Sequence, residues 1–301
     1  RRAMTLIELM VVVFIVALTL GLVIPALSTS HCGPGMRHAQ CRNNLKSLAL
    51  ATANYSIVHG VFPASTTGSP GRESNHSWTT VILPDMDQAE LYQAYNFDVP
   101  NYDPANSTVV GTRLYSALCP NYRALHPPIP SERIRRLDGS SYPPGSAFAE
   151  GHYGANWGGG RLPGFGDDFA ATQGNYRGVM MAVGVTTPRG LTSHIGPKDV
   201  VDGLATTILI GEKRDSQGWA VGGYAGSEFD AAASPLPPDD PAVLSVVSGS
   251  YHYSGFASLT GFANFAFADG SVRRLTRATT RKVWYALLTR DGGETVTRDD
   301  Y

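Results

Sequence analysis

An α+β fold is expected for this chain: a long N-terminal helix, its first part membrane-spanning and its second part packed on an antiparallel β-sheet with large loop insertions. Three observations predict it. Residues 9–27 are an uncharged apolar run, and no formally charged side chain follows Glu8 until Arg37. Residues 36–55 place Cys41, Leu45, Leu48, Thr52 and Tyr55 at spacings of three and four, one face of a helix. Residues 262–267 alternate Phe and Ala around Asn264, Asp269-Gly270 supplies a turn, and Ser271-Val272-Arg273 starts a return strand, the pattern of a hairpin. Only 16% of the residues are charged and 33 are Gly, which favours a loop-rich body over a helical bundle.

The apolar run is long enough to span a hydrocarbon core, since about 20 helical residues cover about 30 Å. Glu8 is its anomaly. A carboxylate at membrane depth costs roughly 2.5–3.5 kcal/mol on insertion scales, so it points to a function. A secretory signal peptide and a plain single-pass anchor also account for a basic pair followed by an apolar run, but neither uses Glu8.

Further along, Gly33-Pro34-Gly35 breaks the helix. Residues 64–76 read as a loop, 77–83 as a packed element around Trp78 that Pro84 ends, 87–95 as a short helix, and 98–112 as a polar loop. Residues 121–176 read as irregular, 179–185 as a strand, 200–203 as a turn, 206–211 as an apolar strand, 226–241 as a Pro- and Asp-rich loop, and 282–289 as a closing helix. Glu212-Lys213 reads as an exposed strand end.

Net charge of −1 gives no electrostatic basis for binding nucleic acid, and the cluster Arg133-Ile134-Arg135-Arg136 reads as a solvated loop face. Gly158-Gly159-Gly160 lacks the Lys-Ser or Lys-Thr of a phosphate loop. His152, His194, His252 and Asp269 come with no nucleophile elbow and no paired metal histidines on a helix, so no enzyme is expected. Of the three cysteines, Cys41 and Cys119 each stand beside a structured segment and form the expected disulfide; Cys32 is the odd thiol, free or intermolecular.

Thr5-Leu6-Ile7-Glu8-Leu9 followed by Val11-Val12-Val13-Phe14-Ile15 resembles the prepilin N-terminal methylation motif of type IV pilins and pseudopilins. Pro25, 17 residues after Glu8, fits the register in which pilins often carry a proline. The body is similar to one bacterial family that joins such an N-terminus to a large C-terminal domain of unknown function. The resemblance rests on six strings in order: Gln40 to Leu48, His59-Gly60-Val61-Phe62-Pro63, Ser77-Trp78 to Leu83-Pro84, Leu118-Cys119-Pro120, Asp202-Gly203 to Gly211-Glu212, and Phe267 to Arg273. Two departures stand out: Leu259 occupies the place of a frequent His, and Gly33-Pro34-Gly35 interrupts a helix that is continuous in the family.

The resemblance implies a type IV pilin-like fold and a structural filament subunit. A prepilin peptidase would cut between Ala3 and Met4, and Glu8 would pair with the α-amine of Met4 in the next subunit, Pro25 helping to set the helix register. The expected organisation is residues 1–3 as a leader remnant, 4–30 as membrane and filament-core helix, 31–35 as a joint, and 36–301 as the globular domain. The subunit would wait as a single-pass inner-membrane protein with a periplasmic body. It would then join a homo-oligomeric helical filament at the cell surface through pilus or secretion machinery. The alternative is a membrane-anchored ligand-binding module that never polymerises. No cofactor is expected. The spacing of the cysteines does not resemble a zinc site; calcium is weighed because some pseudopilins bind it in C-terminal loops, with Asp199, Asp202 and Asp269 as its weak candidate ligands.

Overall fold

The computed structural model describes residues 5–28, 34–69, 72–120, 127–134, 142–156, 177–181, 183, 186–187, 190–191, 193–212, 218–221, 262–276, 279 and 281–297. Two long helices lead the chain, α1 over Leu6–Ser28 and α2 over Pro34–His59. Pro34 and Gly35, expected in the joint, instead form the first turn of α2. Proline suits that position, since its φ is already helical and its missing N–H has no intrahelical partner there. The helix runs beyond residue 55 and stops at Gly60, whose φ of +72° is open to glycine without a Cβ penalty; its N–H returns to the Ser56 carbonyl at 2.9 Å. Cys41, Leu45, Leu48 and Thr52 are buried as the spacing predicts, and Tyr55 is half-buried.

Residues 64–76 are not a loop. They hold β1 (Thr66–Ser69) and β2 (Arg72–Ser77), an antiparallel pair. Their polar, Gly-containing composition carries no strand alternation, so the pairing itself makes the strands. Ser77 caps α3 (Trp78–Val81), and Trp78 is buried. Pro84 does not end this element but lies early in a 3-10 turn over Leu83–Met86. Next comes α4 (Ala89–Ala94), inside the expected 87–95. The expected polar loop at 98–112 contains a 3-10 turn over Pro104–Asn106 and α5 (Ser107–Val110), whose Val109 and Val110 are buried.

The stretch expected to be irregular supplies β3 (Ile129–Pro130), β4 (Ala147–Phe148) and β5 (Tyr153–Ala155). Among the described residues of the expected strand at 179–185, none lies in a named strand. Val179 and Met180 are buried in bends, Met181 is buried just after them, and Val183 bridges Thr67. The pair β6 (Thr186–Thr187) and β7 (Gly190–Leu191) follows, then β8 (Ile208–Glu212), β9 (Phe262–Phe267), β10 (Val272–Thr276) and α6 (Arg281–Leu288). The loop expected at 226–241, the Gly158–Gly160 run, His252 and Leu259 lie outside the described residues.

Strands β10, β9, β8 and β5 form one antiparallel sheet in that order. Its two faces build two cores. Ala263, Phe265 and Phe267 of β9 face a layer that includes Tyr142, Phe148 and Leu287. Ala266 and Ala268, with Tyr153, Ala155 and Ile210, face Cys41, Leu45 and Leu48 of α2. The small alanines leave room for the helix. A register shift between Ile208 and Ile210 turns Ile208 to the first core and both Leu209 and Ile210 to the second, so the whole Ile-Leu-Ile run is buried. The expected hairpin forms across β9 and β10, with Val272 opposite Ala266. Gly270 takes φ +78° at its turn, again a glycine conformation.

Candidate functional site

The strings that run through residues 40–48, 118–120, 211–212 and 267–273 meet where α2 crosses the sheet. Cys41 is bonded to Cys119, closing a loop across a sequence separation of 78. Three residues on, the Asn44 amide donates to the carbonyls of Leu118 (2.7 Å) and Tyr115 (3.3 Å), while its oxygen accepts from Gln40 Nε2 at 2.8 Å. Tyr153 of β5 donates its hydroxyl to the Cys41 carbonyl at 3.0 Å. Lys46 Nζ donates to the Gly270 carbonyl in the hairpin turn at 2.5 Å. Three side chains and one covalent bond therefore fasten α2 to the 115–119 segment, to β5 and to the turn between β9 and β10. Each polar member is matched, which matters because an unmatched buried donor or acceptor costs about 1–3 kcal/mol.

Glu212 lies in the same place. It was expected to be an exposed strand end, but it is 4% exposed. Because β8 sits between β9 and β5, its terminal residue is covered from both sides. Its carboxylate accepts from the Asn264 backbone N–H (3.0 Å) and from Asn264 Nδ2 (2.8 Å) on β9. Burial pushes its pKa up from the ordinary 4.5, an effect opposed by the two Asn264 bonds and by the Arg274 charge. One carboxylate oxygen and the sulfurs of Cys41 and Cys119 all lie within 4.8 Å of one another. The Cys119 N–H is bound by Nδ1 of buried His152 at 3.0 Å; Nδ1 accepts, so the ring proton is on Nε2.

The other expected site residues fall elsewhere. Ala3 and Met4 lie outside the described residues. Pro25 lies within α1, which continues through it to Ser28. Glu8 has a local role that its motif reading did not include. Its carboxylate accepts from the Thr5 backbone N–H at 2.8 Å, and its own N–H donates to Thr5 Oγ1 at 3.3 Å. This is a reciprocal capping box, a Thr with a Glu three residues later, and that spacing was legible in the sequence. The apolar side chains of α1 from Leu6 to Leu20 are open, the large ones ranging from 48% (Val16) to 75% (Leu6) exposed. Among the described residues no helix is long and apolar enough to cross a membrane; the side chains of α1 are described only as far as Leu20, short of the 9–27 run.

The three aspartates weighed for calcium serve the backbone. Asp199 Oδ2 accepts from Gly196 N–H, the two carboxylate oxygens of Asp202 take the N–H groups of Gly292 and Gly293, and Asp269 Oδ1 takes that of Ser271. Among the described residues these three do not form a metal-holding group. Of the histidines weighed for catalysis, His194 is exposed and His152 is engaged by Cys119, so the structure does not bring them together with Asp269 as a constellation of described contacts.

Helix, sheet and staple together define a class: an α+β body clamped by a disulfide to a long helix, with a further apolar helix ahead of it. The chain belongs to the family described as protein of unknown function (DUF1559), whose model matches residues 34–282. That family is associated with bacterial pilin-like proteins, and the match begins at the first residue of α2, so the prepilin motif lies outside it. Neither a curated protein nor a solved structure matches the chain.

Proposed function

We propose that the chain is a structural subunit of a type IV pilus-like or type II secretion pseudopilus-like filament that assembles through its N-terminal helix. The observation that carries this reading is the open apolar surface of α1, interrupted by the single carboxylate of Glu8. A helix that is apolar all round needs lipid or other helices around it. Before assembly, lipid supplies that cover, with Arg1 and Arg2 holding the N-terminus in the cytoplasm and the body in the periplasm. In the filament, neighbouring copies of α1 supply it. Cleavage by a prepilin peptidase between Ala3 and Met4 would give Glu8 the Met4 amine of the next subunit, which offsets the cost of burying its charge. The clamp on α2 supports the same role, because a rigid link passes load from helix to body. The work of the protein is assembly rather than catalysis, and its partners are copies of itself and the export machinery.

One observation favours a second reading, a membrane-anchored binding module that stays monomeric: Glu8 already has partners within its own chain at Thr5. Two variants separate the readings. Glutamine can take the same capping position but carries no charge, whereas leucine does neither. For a filament subunit, Glu8→Gln and Glu8→Leu both abolish or misregister filaments seen by electron microscopy of cell-surface material. For a capped anchor, Glu8→Gln behaves as the unaltered chain. Mass spectrometry of the N-terminal peptide locates the cut: filaments starting at Met4 support the amine pairing, and filaments starting at Arg1 remove it. A chain that stays monomeric in the membrane fraction refutes the filament reading.

A further inference from the structure

We infer that Cys41, Cys119 and Glu212 form a redox-gated site for a thiophilic divalent cation of the Zn2+ class, closed by the disulfide and opened by its reduction. Two sulfurs and one carboxylate oxygen already lie within 4.8 Å of one another at the crossing of α2 and the sheet. A tetrahedral zinc centre with bonds of about 2.0–2.3 Å sets its ligands roughly 3.3–3.8 Å apart, so from a separation of up to 4.8 Å the group needs a contraction of about 1.0–1.5 Å at most on the oxygen side. Once the disulfide is open, the sulfurs separate to reach the same spacing.

The chemistry of the donors agrees. Thiolates select soft and borderline cations, and a carboxylate completes many zinc sites. Glu212 is a buried carboxylate whose partners at the site are the N–H groups of Asn264. Among the described residues it has no ion pair within 4.0 Å. A carboxyl buried with only N–H groups in contact is costly to keep ionised even with the Arg274 charge acting on it, and a divalent ion seated beside it lowers that cost. The ligands come from three elements held in place independently of the sulfur bond: α2 by Asn44, Tyr153 and Lys46, Cys119 by His152, and Glu212 by Asn264. Reduction therefore leaves the ligands near their present places.

The Cys41–Cys119 sulfur–sulfur bond breaks, an external dithiol supplies two electrons and two protons, and that dithiol closes to its own disulfide. The cation then displaces the two thiol protons, together with the proton of Glu212 wherever that carboxyl holds one, to solvent and binds two thiolates and the Glu212 carboxylate, leaving a fourth position for water. In the return step an external disulfide exchanges with the two thiolates, takes their two electrons and leaves with two protons as its own two thiols, so that the ion is released and the Cys41–Cys119 bond re-forms. The site belongs to the reduced chain, whatever the chain assembles into.

The test uses the full chain in detergent with Cys32→Ser, so that Cys32 contributes no thiol. Cobalt is added without oxygen to the oxidised chain and to the chain reduced by a phosphine. The reduced chain is expected to show thiolate-to-cobalt charge transfer with tetrahedral d–d bands, and zinc displaces them. The oxidised chain shows neither. Glu212→Gln weakens zinc about 10- to 100-fold while circular dichroism and re-formation of the disulfide stay intact. As a measurement that needs no variant at Glu212, zinc is expected to protect both Cys41 and Cys119 of the reduced chain from alkylation. Equal cobalt binding by oxidised and reduced chains, full alkylation in zinc, or unchanged affinity in a folded Glu212→Gln chain would each overturn the site.

Discussion

Glu8 and Glu212 are opposite cases of a carboxylate outside its ordinary setting. Glu8 stands on an open helix and satisfies Thr5, so its further role depends on what surrounds α1. Glu212 is inside, and its environment is decided by β9 and the disulfide. Burial raises its pKa, so the folded chain holds a proton there that the unfolded chain has lost above its ordinary 4.5. Its contribution to stability is then complete below that value and falls as pH rises through the raised folded value. Thermal unfolding of the oxidised chain between pH 4 and pH 8 should show this decline, and Glu212→Gln should flatten it; equal slopes for both would contradict the assignment. His76 works in the other direction. The Phe97 carbonyl only accepts, so Nε2 carries the proton and Nδ1 accepts from the Tyr95 hydroxyl at 2.8 Å. Burial lowers its pKa from the ordinary 6.5, so the stability it brings is present above 6.5 and is lost as pH falls through the lowered folded value.

At the scale of elements, the clamp on α2 is the main device. The disulfide closes a loop across a separation of 78, which in the chain-entropy model corresponds to about 4.5 kcal/mol of stabilisation through the unfolded state. Reduction in the presence of a chelator, or Cys41→Ser with Cys119→Ser, should lower the unfolding free energy by about that amount in denaturant titrations. The fold should survive, because Asn44, Tyr153 and Lys46 still hold the helix. A loss well below 1 kcal/mol would show that these bonds alone carry the attachment. The expected hairpin, the face of α2 and the closing helix were legible because each has a hydrophobic period. The hairpin of β1 and β2 and the short β5 were not. The first is polar and Gly-containing, and the second is three residues long, Tyr-Gly-Ala, which has no period to read.

For the whole molecule, the chain divides into an apolar leading helix and a body with its own two cores. If α1 is the anchor and assembly element, a chain lacking residues 1–28 should leave the membrane fraction, keep the disulfide and its unfolding transition, and form no filaments. A truncated chain that still polymerises would move assembly to the body, and one that still pellets with membranes would place a second membrane contact there.

Some of this protein is determined by local sequence. The apolar run, the Glu at position 8, the α2 face and the Asp269-Gly270 turn are decided within a few residues by period, charge and backbone freedom. The pairing of Cys41 with Cys119 was an expectation from their neighbours that the structure bears out. Glu212 is the clearest feature that only tertiary structure decides. Written after Ile-Leu-Ile-Gly it reads as the exposed end of a strand. It is buried because residues about 50 positions later in the chain form β9 and Asn264 meets it there. Strand order is a non-local choice, so which strand end is covered, and which carboxylate ends beside a disulfide, follows from packing rather than from any local pattern.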